Sequence, residues 1–151
     1  MTLNFDNYAT KGNEIINHLS FELDLPKDQA GRVFKAVLHG IRDRICPDEN
    51  LNLLAQLPVF LKGVYVDGWK PGKSNRRQPH LRQFLDEIRL STRDGAPSGF
   101  ANDQLAKTRI QCVFKVLYHY ITPGDLSDAV EKLPAPIKEF VQNAFDEAHI
   151  Y

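Results

Sequence analysis

The sequence predicts an all-α protein of about eight helices, arranged as two tandem four-helix repeats within one helical domain. Three observations predict it. Apolar residues recur three and four apart along almost every segment, which is the spacing of one helix face. The dipeptide Leu57-Pro58 returns as Leu133-Pro134, at an offset of 76 residues, and brings its surroundings with it. No strand candidate survives, since the valine-rich GVYVDGW stays in phase with the helix before it and has no pairing partner.

The first helix, about 4 to 24, carries Phe5, Tyr8, Ala9, Ile15, Ile16, Leu19 and Leu23, and Gly12 is a point where it can break. Leu25-Pro26 ends it, because a residue before proline avoids helical angles. The second, from Asp28, places Ala30, Val33, Phe34, Val37, Leu38, Ile41 and Ile45 on one wide face. Pro47 then opens a short third helix, with Asp48 and Glu49 at its positive end, and it runs to Leu57. Pro58 starts the fourth in the same way, and Asp67-Gly68 stops it.

Residues 67 to 79 hold Gly, Pro, Ser and Asn without periodicity, so they read as a linker. The fifth helix follows Pro79 with Leu81, Phe84, Leu85 and Ile88, and residues 91 to 102 form a second loop. From Asp103 the sixth helix carries Ala106, Ile110, Val113, Phe114, Leu117 and Ile121. Thr122-Pro123-Gly124-Asp125 reads as an N-cap, a first-turn proline and an acidic partner. It starts a seventh helix with Leu126, Ala129, Val130 and Leu133. Pro134 starts the eighth, with Ile137, Phe140, Val141, Ala144 and Phe145.

Residues 28 to 65 align without a gap on 104 to 141. Phe34 meets Ile110, Val37 meets Val113, Leu38 meets Phe114, Ile41 meets Leu117, Ile45 meets Ile121, and Pro47 and Pro58 meet Pro123 and Pro134. Coincident prolines are what duplication of one supersecondary unit predicts. The repeats are then approximately 4 to 66 and 80 to 148.

The run AGRVFKAVLHGIRDRICPDENLNLLAQLPVFLKGVYVDGWKP resembles the uncharacterised bacterial family catalogued as domain of unknown function 2267, with Gly31 a departure from its pattern. The VLHGIRDRI helix, the acidic turn after Pro47, the AQLP junction and the GVYVDGW exit carry the resemblance. It implies an all-helical fold and brings no activity, cofactor or catalytic residue.

Nineteen basic side chains balance nineteen acidic ones, so no overall field draws the chain to nucleic acid or membrane. Two cysteines, Cys46 and Cys112, make no disulfide framework. The N-terminus lacks a secretory pattern, and no apolar run approaches the roughly 20 residues that span a bilayer. The expected location is the cytoplasm.

Chemical signatures are few. Phosphate-cradling glycine loops, HExxH and CxxC are absent, so no cofactor or metal is expected. Cys112 and His119 lie seven residues apart on one helix, about 10.5 Å of rise, too far to touch as a nucleophile pair. Arg32, Arg42, Arg44 and Arg89 could line an anion groove. Arginines on polar faces more often face water or pair, here with Asp43, Asp48 and Glu87.

The strongest local signal is residues 62 to 82, where Lys62, Lys70, Lys73, Arg76, Arg77 and Arg82 oppose Asp67 alone, beside Tyr65 and Trp69. Such a segment could grip a partner protein or, by charge and stacking, a nucleic acid; a solvated linker, with Trp69 folded onto the core, is the plainer reading. The candidate interaction residues are Tyr65, Trp69, Lys70, Lys73, Arg76, Arg77 and Arg82. The function expected is a non-enzymatic protein-interaction or scaffold module with an unknown protein partner. Nucleic-acid or anionic-ligand binding is the alternative.

Overall fold

The structure is a computed structural model that describes residues 3–71, 80–92, 103–121 and 123–150. Its elements are α1 (Phe5–Leu23), α2 (Lys27–Arg42), α3 (Pro47–Gln56), α4 (Val59–Val66), α5 (Leu81–Thr92), α6 (Asp103–Leu117), α7 (Pro123–Glu131) and α8 (Ala135–Ile150). Among the described residues there is no strand.

Local chemistry sets the boundaries. The Asn4 side chain accepts the Asn7 N–H at 3.0 Å and caps α1. The helix runs unbroken through Gly12, where one glycine costs less than the neighbouring turns supply. Asp24 takes left-handed backbone angles (φ 56°) and Leu25 N–H returns to the Ser20 carbonyl at 3.2 Å, closing the helix before Pro26.

Pro47 is in the first turn of α3, as its fixed φ favours. Pro58 differs: it precedes α4 as the capping residue, and its carbonyl accepts Leu61 N–H at 2.9 Å. Two other boundaries move. The fifth helix extends through Ser91 and Thr92, which the sequence assigns to a loop. The sixth stops at Leu117, and Tyr118 to Ile121 form tight turns that return their N–H groups to carbonyls of residues 114 to 117. Thr122, read as an N-cap, and most of the two loops lie outside the described residues.

The central element is α2, with nine buried residues from Ala30 to Arg42; it packs on α1, α4, α5 and α6. In turn α6 packs on α1, α2, α5 and α8, while α3 lies against α7. Side chains from all eight helices form one buried cluster. Of the pairs matched across the offset of 76, most are buried on both sides. Leu54 and Val64 are half-buried where Val130 and Phe140 are buried.

The tightest approach is between α2 and α5. A Cβ on Gly40 would fall 2.9 Å from Phe84 Cε2. Phe84 is fully buried, and the Arg44 guanidinium sits 5.0 Å above its ring. Arg44 also donates to Glu87 Oε2 at 2.7 Å and to the Gly40 carbonyl at 3.0 Å, joining α2 to α5. Among the described residues, its Nε has no hydrogen-bond partner.

Gly40→Ala should therefore lower the unfolding free energy by about 1–3 kcal/mol despite alanine's better helix propensity, because the held ring cannot retreat. Gly63, with nothing within 4 Å of an added Cβ, should gain about 0.5–1 kcal/mol as alanine. Urea denaturation of both variants measures the contrast.

Candidate functional site

The polar side chains concentrate where α4 ends. In α2, Lys35, His39 and Arg42 are four and three residues apart and therefore share one face. All three reach the last turn of α4. Arg42 Nη1 donates to the Tyr65 and Asp67 carbonyls at 3.0 Å each, and its Nε donates to Asp43 Oδ1 at 3.0 Å. His39 Nε2 donates to the Val64 carbonyl at 2.8 Å, and Lys35 Nζ meets Asp67 Oδ2 at 2.5 Å.

The last carbonyls of a helix lack partners within it and carry the negative end of its dipole. Arg42 and His39 supply donors to these carbonyls, and Arg42 and Lys35 supply positive charge beside them. Gly68 then turns the chain with φ 72°, and Trp69 N–H closes onto the Val66 carbonyl at 2.9 Å.

Beneath this clamp lies a buried amide. Asn50 is 1% exposed and donates to the Arg42 and Ile45 carbonyls at 2.9 and 3.3 Å. Its Oδ1 accepts the Tyr65 hydroxyl in a short hydrogen bond. The α2–α3 corner and α4 are thus tied by one polar chain.

The titrations follow from this geometry. Burial lowers the His39 pKa; Arg42 and Lys35 add to the lowering, and the Val64 hydrogen bond and Asp43 oppose it. Hydrogen bonding and charge from Lys35 hold the exposed Asp67 carboxyl below its ordinary value. Burial pushes the Tyr65 phenol up.

The structure separates the sequence-predicted residues. Tyr65 is 1% exposed, with its hydroxyl on Asn50, so its ring is core and is removed from the interaction surface. Trp69 is half-buried, and among the described residues it is not one of the partly buried apolar side chains packed on the core. Lys70 is exposed. Arg82 is exposed and pairs with Asp86 at 3.3 Å. Lys73, Arg76 and Arg77 lie outside the described residues.

Arg42 and Arg44 pair with Asp43 and Glu87, but both are buried rather than water-facing. Sequence reading passed over His39, Asn50 and Lys35. The signal available was the basic i, i+4, i+7 spacing in α2, and polar Asn50 at the position matched by Leu126.

A second cluster lies between α1 and α6. His18 Nδ1 is 3.3 Å from the Tyr120 hydroxyl, its Nε2 is 3.8 Å from Glu22, and its ring is 5.6 Å from that of His119. The Cys112 thiol is pushed up to about 11, by burial first and then by Glu22. A thiol so shifted is not a thiolate nucleophile at neutral pH. Among the described residues, no group of three or more His, Cys, Asp and Glu side chains could hold a metal.

Two hollows open between the described helices. A polar cleft of about 490 Å³ between α3 and α7 is lined by Glu49, Asn52, Gln56, Asp125, Asp128 and Lys132 among others. An apolar groove of about 350 Å³ lies between α1, α2 and α4.

A family model described as an uncharacterized conserved protein, DUF2267, matches residues 12–140. The chain belongs to this family. The matched span of DUF2267 contains the clamp, the buried Asn50 and the polar cleft; the first turns of α1 precede it. No curated protein matches the chain. Among the described residues, no helix is long and apolar enough to cross a membrane.

The lowered pKa of His39 has a sign. The unfolded chain takes up this proton near pH 6.5, before the folded one does. The stability it contributes is therefore whole above about pH 6.5 and is lost as pH falls from there through the folded value. His39→Gln keeps a donor for the Val64 carbonyl and removes the titration. Urea unfolding at about pH 7.5, 6 and 5 should show the stability of wild type relative to His39→Gln falling as pH falls; a constant difference contradicts the assignment.

Proposed function

We propose that the chain is a non-enzymatic protein-interaction or scaffold module of the bacterial cytoplasm, built on a duplicated four-helix unit, that presents the segment from Trp69 to Arg82 to a protein partner. The observation that carries this reading is the clamp of Lys35, His39 and Arg42 on α4. It fixes the point and direction at which the basic segment leaves the helices. A preset exit reduces the ordering cost of binding.

What supports duplication is that packing partners exchange between halves. The contact of α1 with α6 answers that of α5 with α2; α2 with α4 answers α6 with α8, and α1 with α4 answers α5 with α8. The pairs α2 with α6 and α3 with α7 answer themselves.

Nucleic-acid or anionic-ligand binding through residues 62–82 is the second reading, and its basis is the charge of that segment. Against it, two of the basic side chains have acceptors within the chain. Arg82 pairs with Asp86, and Lys62 donates to the Ala55 carbonyl at 3.4 Å.

The test is capture of a partner from cell lysate by the full chain, compared with Trp69→Ala and Lys70→Glu. A captured protein that is reduced about tenfold or more by either variant, with unchanged far-UV circular dichroism, supports the reading; ΔΔG near 1.4 kcal/mol corresponds to that factor. A partner retained equally by both variants contradicts it. Retention of generic DNA or RNA at about 50 mM salt, lost steeply by about 200 mM, supports the nucleic-acid reading instead.

A further inference from the structure

The first half of α1 is largely exposed. Between Phe5 and Glu14 only Tyr8 and Gly12 are even half-buried, and the first fully buried residue of the helix is Ile15. The apolar stripe nevertheless continues to the end: Phe5, Tyr8, Ala9, Gly12 and Ile16 are three and four apart. Phe5 is 73% exposed, its ring set edge-on to Tyr8 at 6.3 Å. A helical stretch this short is marginal in water without a packing partner. Among the described residues, the apolar face of this arm is therefore left largely uncovered at Phe5.

Two turns further along, the same stripe becomes concave. The apolar groove between α1, α2 and α4 is lined by Tyr8, Gly12, Ile16, Gly31, Phe34 and Phe60 among others. The glycines give it depth. Neither needs to be glycine for the fold's own packing: a Cβ on Gly12 would lie 3.8 Å from Phe60 Cδ2, and one on Gly31 would lie 4.0 Å from Ile16 Cδ1, both ordinary contacts. Neither has a positive φ. A glycine inside a helix is less stable than an alanine, so both positions carry that cost without an internal reason, unlike Gly40. The groove's charged lining residue, Lys35, is already held by Asp67, which leaves an apolar occupant as the better fit.

A knob at Phe5 and a hollow at Gly12 share one face of one helix, about 10.5 Å apart along its axis. A two-fold interface needs this, because a single patch must supply both complementary parts. With two copies of α1 antiparallel and crossing at Tyr8 and Ala9, Phe5 of each copy falls opposite Gly12 of the other. We propose that this face is a homodimer interface, in which Phe5 of a second copy fills the groove beside Gly12 and Gly31. It stands on the arm and groove alone and is independent of the function proposed for the α4 exit.

The experiment is solution mass by light scattering or sedimentation over a concentration series, on the full chain and three variants. Wild type should approach twice the chain mass. Phe5→Glu, at an exposed position, and Gly12→Leu, which fills the hollow, should each raise the dimer's dissociation midpoint at least about tenfold, the factor that one lost anchor of about 1.4 kcal/mol produces. Unchanged circular dichroism of Phe5→Glu shows that the helices persist. Phe21 is 82% exposed and lies on the opposite side of α1, so Phe21→Glu should leave the midpoint unchanged. A wild-type monomer at every concentration overturns the proposal; so does a dimer that survives both Phe5→Glu and Gly12→Leu, or one lost only with Phe21→Glu.

Discussion

The buried guanidinium of Arg42 is the constraint on which the first half of the molecule depends. Removing a cation from water costs several kcal/mol even after relaxation, and the cost is tolerable only if its donors are met. Here Nε is met by Asp43, and Nη1 by two carbonyls at the end of α4. Those carbonyls have no helical partner of their own, so one contact satisfies both sides. The consequence is positional. Because Arg42 is fixed in α2, α4 cannot slide along it without stranding a charge and two carbonyls, and Tyr65 is held over Asn50. The chain must then leave the helices at Gly68.

The second constraint acts at the other side of α2. There the missing side chain of Gly40 admits Phe84, and Arg44 covers the ring and reaches Glu87. Arg42 and Arg44 are two residues apart, and they serve different neighbours, α4 and α5. At the offset of 76, residues matched to Asn50 and Tyr65 are Leu126 and Val141, both buried. Positions 76 residues apart are thus filled once by a hydrogen-bonded network and once by hydrocarbon, and only the first fixes directions as well as distances.

The helices were legible because periodicity and proline punctuation are local. The second helix could be read from Ala30 to Ile41, and the starts at Pro47 and Pro123 fell where proline chemistry puts them. The ends were less so: nothing local tells whether Ser91 and Thr92 continue a helix or whether Tyr118 to Ile121 tighten into turns. The site was hidden for a different reason. Tyr65 looked like a surface aromatic beside a basic run, and only the approach of α3, fifteen residues earlier, shows that Asn50 receives its hydroxyl. Arg42 looked solvated because its acceptors are backbone carbonyls 23 and 25 residues away, which carry no side-chain signature. Gly12 and Gly40 look alike in sequence, and only their neighbours separate a hollow from a close packing contact.

The most direct measurement of the central claim is amide hydrogen exchange at the end of α4. The N–H groups of Asp67 and Trp69 are bonded to the Gly63 and Val66 carbonyls, and Arg42→Met keeps side-chain length while removing every donor. If the guanidinium holds this terminus, protection at Asp67 and Trp69 should fall about tenfold or more in Arg42→Met relative to amides of α6, marking local opening rather than global loss. Equal protection in the two proteins, or a uniform fall across all helices, would contradict the claim that Arg42 sets the exit of α4.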